Sequence, residues 1–252
     1  MAVLERYAAS VLAFGALYLA HCRLLTRTWP ERFAANRGAT WTSAERCCGV
    51  WHSSATVALS AFGLWQSWAR HGWFQYDAPN AAVLELSMLI TLGYFTVDTA
   101  SMLASWALEG APFPLTFLLH HFACVAYVTS CLALGIGAET AAVATVVGEV
   151  TNPMQNAWFL SKDVGRLDIH AALSPAFTWF FVVVRCVLTP LWSADVVWFC
   201  AFRPNGFGVW GPVFAALCVL VNIGGMLWAQ KLWQGRARFL AKQKLAQAAK
   251  AD

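Results

Sequence analysis

Charge is what this 252-residue chain has least of. Only 12% of its residues are Asp, Glu, Lys or Arg, about half the share of an ordinary soluble domain, near 25%. A water-facing surface of normal composition is therefore excluded. No CxxC pair and no Cys/His ligand spacing occurs among the eight cysteines, so a zinc site or a thiol redox motif is not indicated. Most of these thiols, including Cys124, Cys131, Cys186 and Cys218, lie in apolar runs and read as small hydrophobes. Cys47–Cys48 reads as an ordinary helix start rather than a palmitoylation site. Nucleotide loops, nucleic-acid signatures, repeats and low-complexity blocks are also lacking. The first apolar run begins at Tyr7 after a single basic residue, Arg6, and reads as a retained helix rather than a cleaved signal.

What is present is hydrophobicity, at 59% of residues. A membrane-crossing helix needs about 20 mostly apolar residues. Seven such runs are expected, near 5–22, 47–69, 82–106, 115–135, 138–160, 170–193 and 209–232. The fold expected is an all-α integral membrane bundle of seven transmembrane helices, or six if the short first run does not span. With the N-terminus outside and the C-terminus cytosolic, thirteen of the seventeen Lys and Arg residues fall in or beside inner segments. Arg6, Arg70 and Arg203 fall outside, and Arg185 lies within a span. This is the asymmetry of the positive-inside rule. Tryptophan agrees: Trp51, Trp106, Trp158 and Trp233 mark inner ends, and Trp65, Trp68, Trp73, Trp192, Trp198 and Trp210 outer ends. The basic tail after Lys231 reads as a solvated, topology-setting segment, with a surface amphipathic helix as the other reading.

Ionisable groups inside a membrane are costly and commonly functional, at about 2.5–3.5 kcal/mol for a carboxylate on insertion scales. Four spans carry them toward the same, inner leaflet: His52; Tyr94 and Asp98; His120 and His121; and Glu149 with Asn152 and Asn156. Glu149, Asn152 and Asn156 share an arc of about 60° on a helix. Tyr94, Asp98, Ser101 and Ser105 form a similar stripe. His120, Cys124 and Tyr127 share one face, and His121 points elsewhere. Pro153 lacks an N–H, so the helix should kink there and free the carbonyl of Glu149. Glu149 is expected to pair with His120 or His121. Asn156, Asn222 and Thr56 read as interhelical glue, and Arg185 as a snorkelling or ion-paired cation. A retinal receptor would need a lysine inside the last span, whereas Lys231 sits at its edge. Haem ligation by His52 and His120 has no further support.

In order along the chain, WHSSATVALSAFGLW (51–65), GYFTVDTASML (93–103), LLHHFACVAY (118–127), GEVTNPMQNAWFL (148–160) and NIGGMLWAQKLW (222–233) resemble the TLC-domain family, which includes ceramide synthases and the translocon-associated TRAM proteins. The resemblance divides the chain into an N-terminal helix and basic loop (1–43), a TLC-like domain (44–233) and a basic tail (234–252). It implies catalytic roles for His120, His121, Glu149 and Asp98, and lipid contacts for His52, Tyr94, Tyr127, Asn152 and Asn156. Ceramide synthases carry His-Asp-x-Ser-Asp on the acidic helix. Here Gly148-Glu149-Val150-Thr151-Asn152 takes its place, and no Hox-like domain is present. The chain is therefore more similar to the small TLC proteins linked to membrane-lipid homeostasis. The implied function is binding of a sphingoid base, ceramide or phospholipid in an intramembrane polar cavity. The alternatives are acyl-CoA-dependent N- or O-acyl transfer, with acyl-CoA as co-substrate, and a structural role in a larger membrane complex or homo-oligomer. No bound metal or cofactor is expected. The endoplasmic reticulum is the membrane that the resemblance implies.

Overall fold

The structure is a computed structural model that describes residues 3–202 and 207–248. Arg203 and the last four residues of the tail lie outside the described residues. Ten α-helices account for nearly all of the described chain, and no strand occurs among these residues. Five helical stretches are long and apolar enough to cross a membrane: Val3–Thr28, Ala82–Glu109, Leu115–Leu134, Leu167–Phe202 and Gly211–Ala241. Their outer faces expose large apolar side chains such as Leu12, Leu19, Phe122, Leu191 and Leu220. In a water-soluble protein such surface would be a liability. Here it fits acyl chains, and the chain is an integral membrane protein.

Helix α1 (Val3–Thr28) lies at the edge and fully buries few of its side chains. The short α2 (Pro30–Phe33) turns the chain. Helix α3 (Arg37–His71) begins ten residues before the apolar run that marks it, because Asn36 caps it by accepting from the Ala39 N–H at 2.9 Å. Cys47 and Cys48 thus lie well inside this helix rather than at its start. Gly72, at φ +76°, ends it in the left-handed conformation that glycine adopts at least cost.

The centre of the bundle is α3, packed by α1, α4 (Ala82–Glu109), α6 (Ala138–Glu149) and α7 (Asn152–Asp163). Its buried face is a stripe of small and polar residues: Gly49, His52, Ser53, Thr56, Ser60, Gly63 and Ser67. This face keeps α3 out of the five most apolar stretches and suits close helix packing. Ser60 Oγ lies 2.9 Å from Ser87 Oγ, and a Cβ on Gly49 would stand 2.6 Å from Asn156 Nδ2.

Helix α5 (Leu115–Leu134) follows, and then the broken pair α6 and α7. The interruption at Val150–Thr151 falls where Pro153 removes a donor. The next expected span is longer than read. It runs as α8 (Leu167–Val183), a π turn (Val184–Leu188) and α9 (Thr189–Phe202). Thr189 Oγ1 closes the π turn on the Val184 carbonyl at 2.8 Å. Helix α10 (Gly211–Ala248) continues unbroken into the basic tail, which is therefore helical as far as residue 248.

Candidate functional site

The polar groups of α3, α4, α5 and the α6–α7 break converge. Glu149, the last residue of α6, accepts from Ser53 Oγ and from Asn152 Nδ2, both at 2.7 Å to its Oε2. His52 Nδ1 stands 3.7 Å from the same oxygen, within ion-pair range and beyond hydrogen-bond distance. The imidazole is fully enclosed, stacks on Tyr94 with centroids 4.1 Å apart and planes 9° apart, and directs Nε2 to Thr91 Oγ1 at 3.4 Å.

A second histidine–carboxylate pair lies beside the first. His121 Nε2 is 3.4 Å from Asp98 Oδ2, and its Nδ1 is 2.9 Å from Thr99 Oγ1. Phe95 links the two pairs. It stacks on His121 at 4.5 Å and meets His52 at 5.7 Å. Toward the C-terminal end of α4, Ser101 Oγ lies 2.5 Å from Glu45 Oε1 and 2.9 Å from Tyr18 OH.

His120 occupies a different position. It is half-buried, next to Cys124 Sγ at 3.8 Å, with its ring 5.9 Å from that of His121. Glu149 and Arg185 are within its electrostatic reach. The two adjacent histidines are thus inequivalent. The direct partners of Glu149 are Ser53, Asn152 and His52, in place of the His120 or His121 pairing expected from sequence. Asn156 sits one turn beyond Asn152, against Gly49. Tyr127 is not brought to this cluster. It donates to Thr140 Oγ1 at 2.5 Å and packs on Phe207 and Phe214 in the apolar core.

Of the residues read as glue, Asn222 bonds across helices by its side chain, whereas the Thr56 hydroxyl donates to the His52 carbonyl of its own helix. Asn222 on α10 donates to Ser193 on α9, and the Thr56 carbonyl accepts from Ser87. Arg185 neither snorkels nor forms an ion pair within salt-bridge distance. Its Nη2 donates to the Gly148 carbonyl at 2.5 Å. The break in the α6–α7 segment is therefore capped at Gly148, one residue before the carbonyl that Pro153 frees. Ser53, Thr91, Thr99 and Glu45 were not singled out from sequence. A hydroxyl in a Ser-rich helix carries no signal until its partner is known.

The cluster is deep without being sealed. The Glu149 side chain retains 13% exposure, and a Cβ added to Gly148 would meet nothing within 4 Å. The Gly148 side of the break is therefore not packed against other side chains. Two clefts lie elsewhere. One of about 390 Å³ sits near Arg32, Arg46 and Asp163, and one of about 340 Å³ near Trp73, Tyr76 and Phe199. Among the described residues, no group of three or more His, Cys, Asp or Glu side chains is arranged to hold a metal ion.

Comparison with known proteins gives two findings. A family model described as the TLC domain matches residues 42–234. A TLC domain-containing protein of Arabidopsis thaliana is 24% identical over 234 aligned residues, covering 87% of this chain and 85% of the relative.

Proposed function

This chain belongs to the TLC-domain family, and from that premise we propose that it binds a membrane lipid by its headgroup at the α6–α7 break, in a role in membrane-lipid homeostasis. The observation that carries the reading is Glu149. Its carboxylate is held in place by Ser53 and Asn152, faces His52, and keeps 13% side-chain exposure. Breaking a transmembrane helix leaves backbone groups without partners, and such breaks are tolerated where they line a cavity or gain substitute partners. Arg185 supplies one substitute; the exposed part of the Glu149 carboxylate suits the hydroxyl, amine or amide of a sphingoid base, ceramide or phospholipid.

The arrangement in the membrane belongs to the same proposal. Helix α3 and the broken α6–α7 pair serve as two further spans beside the five long apolar stretches, for seven in all, with the N-terminus outside and the C-terminus cytosolic. The charge asymmetry of the loops supports this, and the family resemblance favours the endoplasmic reticulum.

The direct test is mass spectrometry of purified protein released gently from detergent. One lipid per chain is expected on the wild type and a loss of about tenfold or more on Glu149→Ala. A lipid-free wild type, or retention unchanged in the variant, counts against headgroup binding.

Acyl transfer is the second reading, and the His121–Asp98 pair favours it. A carboxylate that orients an imidazole suits it to take a proton. In that reaction a lipid amine or hydroxyl attacks the acyl-CoA thioester carbonyl. Its proton passes to the imidazole and CoA leaves as the thiol. Release of free CoA that depends on His120 and His121 would support this reading; none across a panel of lipid amines and alcohols would exclude it.

A further inference from the structure

Between α3 and α4 the chain runs from Gly72 to Ala81 without forming a helix, yet it is pinned at both ends. The Gln75 N–H donates to Glu139 Oε2 at 2.5 Å, and Ser67 Oγ donates to the same carboxylate at 2.6 Å. Asn80 fastens the other end. Its N–H donates to the Gly135 carbonyl at 2.9 Å, its Nδ2 donates to the Cys131 carbonyl at 2.8 Å, and its Oδ1 accepts from the Ala138 N–H at 3.0 Å. A segment ordered in advance loses less freedom when it binds a ligand.

The pinned segment is aromatic. Trp73, Phe74 and Tyr76 line a cleft of about 340 Å³ together with Asp77 and with Phe199 of α9. Small-molecule sites span about 300–1,000 Å³. Tyr76 and Phe199 are buried, with rings 5.3 Å apart and inclined at 69°. Phe74 stands 6.4 Å from Tyr76, and Trp73 is 64% exposed at the mouth. The Tyr76 hydroxyl donates to Asp195 Oδ2 at 2.5 Å. That bond satisfies the polar end of the tyrosine and enriches the electron density of its ring.

The lining selects the ligand class. Among the described residues that line the cleft, Asp77 is acidic and none is basic. An anion would meet this carboxylate and the negative faces of four rings. A neutral hydrocarbon would gain nothing from Asp77. A cation gains from both, because an aromatic face attracts positive charge within about 6 Å of its centroid. A primary ammonium is compact and strongly hydrated, and ring faces replace that water poorly. A quaternary ammonium has no N–H to satisfy, and its methyl groups suit apolar ring faces. We propose that this cleft binds a quaternary ammonium group, carried either by a choline phospholipid or by a free solute. The site is open and lies beyond the C-terminal end of α3, so it is separate from the lipid position at the helix break.

The test follows binding to the purified full-length protein in maltoside detergent by saturation-transfer NMR. Glycerophosphocholine is compared with glycerophosphoethanolamine, which differs only in lacking the three N-methyl groups. The choline compound should bind about fivefold tighter or more. Trp73→Ala should weaken it about two- to fivefold, the size of one exposed cation–π contact, and Trp73→Phe should weaken it less. Asp77→Asn leaves every ring in place and should weaken it about twofold or more. Trp65, 63% exposed on the same helix end and outside the cleft, is the control: Trp65→Ala should change nothing. Dihexanoylphosphatidylcholine separates the two sources. Binding about tenfold tighter than glycerophosphocholine assigns the site to a lipid headgroup, and equal binding assigns it to a free solute. Equal binding of the choline and ethanolamine compounds would overturn the proposal. So would binding unchanged by both Trp73→Ala and Asp77→Asn, or weakened as much by Trp65→Ala as by Trp73→Ala. None of these outcomes involves Glu149, so the reading at the break is tested apart from them.

Discussion

His52 and Tyr94 lie face to face, 4.1 Å apart and nearly parallel, and this contact ties the central helix α3 to α4 beneath the Glu149 carboxylate. Neither ring is free to move alone. His52 is enclosed on every side, and Gly49 leaves the gap that the Tyr94 hydroxyl and Asn156 approach. The polar cluster is thus part of the packing, so its substitutions separate into those that unfold the bundle and those that empty it.

His52→Ala removes a fully buried ring and should destabilise by about 2–4 kcal/mol, as large core truncations do. Thermal unfolding in detergent, followed by circular dichroism, checks this. A change below about 1 kcal/mol would mean that the stack contributes little.

The two adjacent histidines should respond unequally. His121 packs on Phe95 and serves Asp98 and Thr99, so His121→Ala leaves an unpaired buried carboxyl and a cavity. The expected cost is about 3–5 kcal/mol. His120→Ala, at a half-buried position, should cost about 1 kcal/mol or less. Equal losses in the same unfolding assay would contradict the asymmetry.

Much of this architecture is legible in sequence. The spans of α4 and α5 are apolar runs closed by Gly110 and Gly135, and the break at Val150–Thr151 follows from Pro153. The early start of α3 was missed, because Thr40, Thr42, Ser43 and Arg46 carry no apolar periodicity and only Asn36 marks the cap. Arg185 stood out as a lone cation, but its acceptor is a backbone carbonyl on another helix. Which histidine meets Glu149 depends on the register between α3 and α7. That register is set where Gly49 meets Asn156, a contact that no local pattern encodes.

Gly49→Ala tests that register. Its methyl group would need Asn156 Nδ2 to move from 2.6 Å, at a cost of about 1–3 kcal/mol. Adding Asn156→Ala should recover at least about 0.5 kcal/mol, read as the coupling in a double-mutant cycle. Additive losses would show that the two residues do not meet.

The Arg46–Asp163 ion pair should matter far less. Arg46 and Asp163 are paired, with side chains 23% and 24% exposed, and Ser43 supports the same carboxylate at 3.0 Å. Partly exposed pairs contribute about 0–1 kcal/mol. Arg46→Gln should therefore lower unfolding stability by no more than that, and by less still as salt is raised.

Topology is open to labelling. In a background with the eight native cysteines replaced, Gln75→Cys should react with a membrane-impermeant maleimide from the outer side. Lys162→Cys should react only from the cytosolic side. The opposite pattern would reverse the orientation, and labelling of both from one side would remove a span.

The central claim is that a lipid headgroup occupies the polar crevice at the helix break. It is tested most directly by counting lipid on the protein by native mass spectrometry, in the wild type, in Glu149→Ala with Asn152→Ala, and in Arg46→Gln as the control distant from the break. The account predicts one retained lipid per chain in the wild type and the control, and its loss in the double variant. Equal retention in all three, or none in any, would contradict it.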